Sequence, residues 1–145
     1  MKTFFAFLSM LPLIAACSGP SKGQLDDEVR RLCAIDGGIK VYETVKLPAG
    51  RFDKYGQIRI PYKEIVGPGD RYFYESSQKF LVEGNPAMWR NHYKVFRIYD
   101  NKILGESVSY ARRGGDLPGP WHGTSFGCPE KASIIYLNMQ IFIKE

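Results

Sequence analysis

Hydrophobic residues follow a helical period in one segment of this chain and a period of two in most of what comes after it. In residues 24–35, Leu25, Val29 and Leu32 fall at positions i, i+4 and i+7, which places them on one helix face. A pair of glycines follows directly and predicts the end of the helix. One helix followed by five or six strands predicts a single small α+β domain with an antiparallel sheet.

Short segments of alternating apolar and polar residues predict the strands. We expect them at residues 39–47, 57–61, 71–82, 92–99, 103–110 and 132–144. Residues 100–102 carry turn chemistry, so the strands on either side of them should form a hairpin. The alternation is strongest in the last segment, where one predicted face holds Ile135, Leu137, Met139, Ile141 and Ile143.

The N-terminus has the order of a secretory signal peptide. Lys2 precedes an apolar run that ends in small residues, and at about 13 residues the run is shorter than the roughly 20 needed to span a bilayer. Residues Ile14-Ala15-Ala16-Cys17 resemble the lipobox of bacterial lipoproteins. An ordinary signal peptide that leaves a free cysteine is the alternative.

The lipobox resemblance implies cleavage before Cys17 and acylation of its thiol and its new amino group. Ser18, where aspartate would favour retention, implies sorting to the outer membrane, with the protein facing the periplasm. The expected organisation is a signal peptide over residues 1–16, a lipidated cysteine and tether over 17–23, and one domain over 24–145. The membrane is then a partner through the lipid anchor.

Three cysteines are present, and lipidation of Cys17 leaves Cys33 and Cys128 as a pair. In an oxidising compartment an even pair predicts a disulfide. Cys33 lies on the apolar face of the predicted helix, where it can meet a strand or loop that carries Cys128. Two buried thiols are the alternative.

The charge of the chain favours anionic partners only weakly. The full sequence carries a net charge of +5, with 20 basic and 15 acidic residues, and loss of Lys2 with the signal peptide leaves +4. This charge suits contact with anionic lipid, lipopolysaccharide or cell-wall polymer, but simple solubility is the favoured explanation. No block of like charges exceeds three residues, so the sequence predicts no nucleic-acid partner.

Residues 112–122 form the most distinctive stretch after the lipobox. Glycines and prolines restrict its backbone, and it offers both charge and a large aromatic side chain, which is typical of a binding hot spot on a loop. The candidate partner-binding residues are Arg112, Arg113, Asp116, Trp121 and His122. The alternative is a structured surface loop in which Trp121 plugs one end of the sheet and Asp116 caps a turn. This stretch is similar to segments of small bacterial lipoproteins, and the resemblance implies no activity.

Patterns for catalysis and metal binding are weak. Ser125 lies in a G-x-S-x-G pattern, but no histidine or aspartate follows it, as the chain order of α/β-hydrolases requires. His92 and His122 are the only histidines, and their spacing matches no zinc motif. We therefore expect no catalytic residue, no metal and no cofactor.

These observations favour a non-enzymatic, lipid-anchored envelope protein that binds another protein, of inhibitor, immunity or assembly-accessory type. A second hypothesis is an envelope ligand binder for peptidoglycan, lipopolysaccharide or anionic lipid, which would use the basic charge and the many aromatic residues. A third is a hydrolase, which would need Ser125 close to a histidine.

Overall fold

Five strands form an antiparallel sheet, and two helices pack on its opposite faces. The structure, a computed structural model, describes residues 19–120 and 122–145. Its elements are α1 (Lys22–Asp36), β1 (Gly38–Val41), β2 (Val45–Leu47), β3 (Tyr72–Val82), β4 (Ala87–Arg97), β5 (Lys102–Arg113), β6 (Ser125–Cys128), α2 (Ile134–Ile141) and β7 (Phe142–Lys144). The α+β class predicted from the sequence, with one N-terminal helix and an antiparallel sheet, is confirmed.

Helix α1 begins two residues before the expected start of the domain because Ser21 caps it. The Ser21 hydroxyl accepts a hydrogen bond from the Gln24 backbone N–H at 3.3 Å, and the Gln24 side chain accepts one from the Ser21 N–H at 2.8 Å. This reciprocal pair is a capping box. The predicted apolar face is confirmed, since Leu25 and Val29 are buried. Within the described residues, neither helix is long and apolar enough to cross a bilayer.

The main sheet has the order β1-β5-β4-β3. Strand β6 pairs with the same side of β5 as β1, but further along, at residues 110–113. Strands β4 and β5 form the expected hairpin, and β3 pairs with β4 from Tyr72↔Arg97 to Phe80↔Trp89. Side chains alternate between the two faces of a strand. We name the face that packs on α2 the α2 face, and the opposite one the α1 face.

Each face buries its own hydrophobic cluster, and each cluster covers only part of the sheet. On the α2 face, the buried side chains are Leu47, Ile58, Ile60, Val95, Leu104, Leu137, Ile141 and Phe142. On the α1 face, they are Leu25, Val29, Met88, Val108 and Tyr110. Among residues 19–120 and 122–145, no element covers the half of the α2 face that lies toward the β3–β4 turn.

The predicted strand over residues 132–144 is wrong for most of its length, because residues 134–141 form α2. Leu137 and Ile141 are fully buried at helical spacing, whereas Ile135 and Met139, which strict alternation would bury with them, are 46% and 47% exposed. Short apolar runs fit both periods, and tertiary contacts decide between them. Here Ile141 packs directly over Gly105, where a β-carbon would come within 2.9 Å of the Ile141 side chain.

Two other strand predictions need correction. The predicted strand over residues 39–47 is divided, since the backbone N–H groups of Tyr42 and Glu43 both donate to the Leu104 carbonyl and turn the chain away from the main sheet. Strand β1 thus pairs antiparallel with β5, and β2 pairs parallel with β7. The segment 57–61 forms no strand, although it buries Ile58 and Ile60.

The structure pairs Cys33 of α1 and Cys128 of β6 as a disulfide, with 6.0 Å between their Cα atoms. Both cysteines pack against the hydrophobic cluster of the α1 face. The bond therefore fastens the helix to the end of the sheet.

Candidate binding site

The two adjacent arginines of the predicted loop belong to β5 and lie on opposite faces of the sheet. Arg112 opposes Met88 in β4 and faces α1, whereas Arg113 opposes Ala87 and faces the other way. Arg112 is 2% exposed and Arg113 is exposed. Only Arg113 is therefore available to a partner, and the prediction that both arginines form a contact surface needs correction.

Arg112 is a buried structural centre that joins three parts of the chain. Its guanidinium donates to both carboxylate oxygens of Asp26 in α1, at 2.7 and 3.0 Å. It also donates to the carbonyl of Gly114 at 3.0 Å, and to the carbonyl and hydroxyl oxygens of Thr124 at 2.9 and 3.0 Å. A planar guanidinium suits such convergent acceptors.

Asp116 holds the loop after β5 against the start of α1. Its carboxylate accepts from the Lys22 ammonium at 2.7 Å, from the Thr124 backbone N–H at 2.6 Å and from the Thr124 hydroxyl at 2.8 Å. The hydrogen bond from Lys22, followed by those from Thr124, lowers the pKa of Asp116 below its usual range. The alternative interpretation, in which Asp116 stabilises a structured loop, agrees with these contacts. His122 is exposed, and Trp121 lies outside the described residues.

An aromatic pair occupies the uncovered half of the α2 face. Phe80 of β3 and Trp89 of β4 are direct cross-strand partners, with ring centroids 5.9 Å apart and ring planes inclined by 55°. Phe80 is 48% exposed. On the same face, the neighbours of this pair are Gln78, Ala87 and Arg113. We call these five residues, Gln78, Phe80, Ala87, Trp89 and Arg113, the aromatic platform.

The platform borders a shallow concavity of about 460 Å³, which the turn residues Gly84 and Asn85 also line. Among the described residues, no carboxylate forms an ion pair with Arg113. A cation beside two aromatic rings can bind a carboxylate while the rings pack on an apolar group. The concavity thus offers both apolar and charge-based recognition.

A row of polar side chains continues from the platform across three strands. The Gln78 side-chain amide donates to the side-chain oxygen of Asn91 at 3.2 Å, and the side-chain nitrogen of Asn91 donates to the Ser109 hydroxyl at 3.5 Å. Amides and hydroxyls beside an aromatic ring can also bind the hydroxyl groups of a sugar. Because of this row, a glycan is the second candidate class of ligand.

The α1 face carries a separate polar cluster below the end of α1. The Tyr110 hydroxyl donates to Asp36 at 2.6 Å, and Arg90 donates to Asp36 and to the Tyr110 hydroxyl, each at 3.2 Å. The hydrogen bond from Tyr110, with a smaller effect of Arg90, lowers the pKa of Asp36. This cluster ties the end of α1 to β4 and β5.

His92, on the same α1 face, is hydrogen-bonded to Glu106 at 2.7 Å, and Tyr42 donates to the other Glu106 oxygen. The Tyr42 hydrogen bond is the main cause of a lowered Glu106 pKa. Ser77 opposes His92 in the register, but among the described residues no hydrogen bond joins the two. Ser77 and His92 therefore lack the hydrogen bond that joins a serine nucleophile to its base.

The remaining residues considered for chemistry do not converge. Ser125 opposes Arg113 at the sheet edge, and no hydrogen bond links it to His92 or His122 in the described part of the chain. Across residues 19–120 and 122–145, no three His, Cys, Asp or Glu side chains come together in a way that could hold a metal ion.

The aromatic platform was not predicted from the sequence, although the spacing of its two aromatic residues around a turn could have indicated it. Phe80 and Trp89 lie at corresponding distances from the turn at residues 83–86, and hairpin pairing places such residues opposite each other. Only the position of the covering elements decides which aromatic residues remain exposed.

The lipobox, residues 14–17, lies outside the described residues, so its interpretation depends on the sequence alone. No family model matches the chain, and neither a curated protein nor a solved structure is significantly similar to it.

Proposed function

We propose that this chain is a non-enzymatic, lipid-anchored protein of the bacterial envelope that binds another envelope protein through the aromatic platform. The observation that carries the proposal is the Phe80–Trp89 pair beside Arg113, in which Phe80 is exposed and Trp89 half-buried, on a part of the sheet that no other element of the described residues covers. Aromatic residues and arginine are enriched at the centres of protein interfaces. The role is of inhibitor, immunity or assembly-accessory type, in which a small domain acts by occupying a partner's surface.

The anchor follows from the lipobox interpretation of residues 14–17. Acylation of Cys17 would hold the domain at the membrane, in the outer membrane facing the periplasm according to Ser18. Labelling of cells with an alkyne-bearing fatty acid tests this part separately. We expect label on the wild-type protein and none on Cys17→Ser, and equal labelling of both would refute lipidation.

The partner proposal is tested by crosslinking the full-length lipoprotein in cells and identifying the captured molecules by mass spectrometry. In one strain, a photo-reactive amino acid replaces Phe80. In a control strain it replaces Tyr99, which is 81% exposed and lies in the turn between β4 and β5. We expect one dominant protein from the Phe80 position that is absent from the Tyr99 position. Equal capture at both positions would contradict the platform as the binding site.

Charge reversal of Arg113 provides a second, independent test. Arg113→Glu should remove the captured protein, whereas Arg51→Glu, at an exposed arginine in the turn between β2 and β3, should not. Because Arg113 is exposed and forms no ion pair within the described residues, both variants should retain the wild-type unfolding temperature. Unchanged capture with Arg113→Glu would remove Arg113 from the interface.

A glycan or lipid ligand is the second candidate, favoured by the row of Gln78, Asn91 and Ser109 beside Trp89. It predicts that the purified domain without its anchor sediments with isolated peptidoglycan, or binds lipopolysaccharide or vesicles that contain anionic lipid. Trp89→Ala should abolish that binding. Binding of these materials, together with no captured protein, would replace the protein-partner proposal.

A further inference from the structure

Along residues 78–80, beside the aromatic platform, the outer edge of β3 pairs with no other strand of the described residues. We propose that this edge takes up an extended, acidic segment of the protein partner as an additional β-strand. The inference rests on the proposed function and specifies its mode of binding. Main-chain hydrogen bonds would supply much of the affinity, and the platform would select the side chains of the added strand.

The alternation of backbone groups along β3 identifies which amides point outward. The Tyr74 backbone N–H donates to the Pro61 carbonyl at 3.0 Å, away from β4. In an antiparallel strand every second residue directs both its N–H and its C=O to the same side. The register with β4 is regular up to Phe80, so Gln78 and Phe80 also direct their backbone groups outward.

The chain itself already pairs with the first part of this edge. Tyr62 forms an isolated parallel bridge with Tyr74, and its hydroxyl donates to the Ser76 carbonyl at 3.5 Å. The chain then turns away in the 3₁₀ turn Lys63–Ile65. In the described part of the chain, no further backbone segment pairs with β3 beyond Ser76. An added strand would continue a row of contacts that the fold begins.

The position of the platform adds side-chain recognition to this edge. Gln78 and Phe80, whose backbone groups point outward, direct their side chains to the α2 face, where Trp89 and Arg113 lie. Alternate side chains of an added strand would lie on that same face. An apolar residue of the added strand could therefore pack on Phe80. Arg113 lies two strands further in, so its charge would favour an acidic segment without a direct contact being required.

Charge favours an acidic partner segment over a second copy of this chain. Lys79 is exposed on the free stretch, and within the described residues no carboxylate pairs with it or with Arg113. Two copies joined along this edge would bring their Lys79 side chains close together, and like charges on adjacent strands are destabilising. A lysine on an edge strand also disfavours pairing with arbitrary strands. An acidic segment can still pair there, because its charge is opposite to that of Lys79.

Proline substitution at an outward amide tests the edge without removing a hydrogen bond to β4. Gln78→Pro removes one outward N–H, and edge strands tolerate proline at such positions. Gln78→Ala is the matched control, because it removes the side chain and keeps the N–H. We expect crosslinking from the Phe80 position to be at least tenfold weaker with Gln78→Pro than with Gln78→Ala, because both variants lack the glutamine side chain and only the alanine variant keeps the N–H. Equal crosslinking with the two variants would overturn the inference.

Hydrogen exchange on the wild-type complex with the captured partner gives a readout that does not depend on any variant folding. We expect the amides of Gln78 and Phe80 to exchange at least tenfold more slowly in the complex, and the crosslinked partner peptide to be acidic. Unchanged exchange at both amides, or capture of this same chain, would overturn the inference. If the exchange of both amides were unchanged but Arg113→Glu still abolished capture of a partner protein, the proposed function would stand without the added strand. Capture of glycan alone would refute both the added strand and the protein-partner proposal.

Discussion

Replacement of Arg112 by alanine is expected to destabilise the fold severely, whereas the same change at Arg113 is expected to have almost no effect. Arg112 is 2% exposed and makes five hydrogen bonds, two of them to Asp26. The Asp26 side chain is itself only 17% exposed. Truncation of Arg112 leaves these acceptors without their donor.

The size of the effect follows from the burial of the pair. Loss of one partner of a buried ion pair costs about 3–5 kcal/mol, because the remaining charge loses its compensation. A surface substitution such as Arg113→Ala changes stability by about 0.5 kcal/mol or less. Adjacent arginines should therefore differ by about 3 kcal/mol or more in the free energy of unfolding.

Urea denaturation of the domain at neutral pH, followed by circular dichroism, measures this difference. With a slope of about 2 kcal/mol per molar urea, a loss of about 4 kcal/mol lowers the midpoint by about 2 M. Asp26→Ala should have an effect of the same order, and the double variant should cost less than the sum of both. If Arg112→Ala lowered the midpoint no more than Arg113→Ala, the assigned role of Arg112 would be refuted.

Three further perturbations test other parts of the fold. Replacement of both Cys33 and Cys128, 95 residues apart, by serine should lower stability by about 4 kcal/mol, measured by thermal denaturation; an unchanged midpoint would contradict the disulfide. Gly105→Ala should destabilise by about 1–3 kcal/mol, because the added β-carbon comes within 2.9 Å of both the Ile141 side chain and the Lys40 carbonyl, and a neutral result in urea would contradict this close packing of α2 and β1 on Gly105. The lowered pKa of Asp36 means that its ionised form stabilises the fold above its ordinary pKa of 3.8 and that this contribution disappears as the pH falls through its folded value. The stability difference between wild type and Asp36→Asn should consequently shrink between about pH 5 and about pH 2, and a constant difference would oppose this assignment.

Residues 112–116 show why a binding surface cannot be located from residue composition alone. Arg112, Arg113 and Asp116 look equivalent in the sequence, as polar residues around a glycine-rich stretch. In the structure, Arg112 and Asp116 are held by contacts to α1 and Thr124, and Arg113 alone faces the open side. The alternation of side chains along β5 separates the arginines, and this follows once the strand is known to continue through residue 113.

Several elements of the fold can be predicted from local signals in the sequence. The apolar face of α1, its end near the glycine pair and the β4–β5 hairpin all follow from periodicity and turn chemistry over a few residues. Cys33 could also be placed on the buried helix face by the same period. For these elements, local preference and tertiary burial agree.

Tertiary structure alone decided the conformation of residues 134–141 and the identity of the exposed surface. That segment satisfies both a strand and a helix pattern, and burial of Leu137 and Ile141 against the sheet selects the helix. Because α2 covers only one end of its face, Phe80 at the other end remains exposed and its partner Trp89 is only half-buried within the described part of the chain. Burial depends on which distant elements pack over a residue, and no local pattern carries that information.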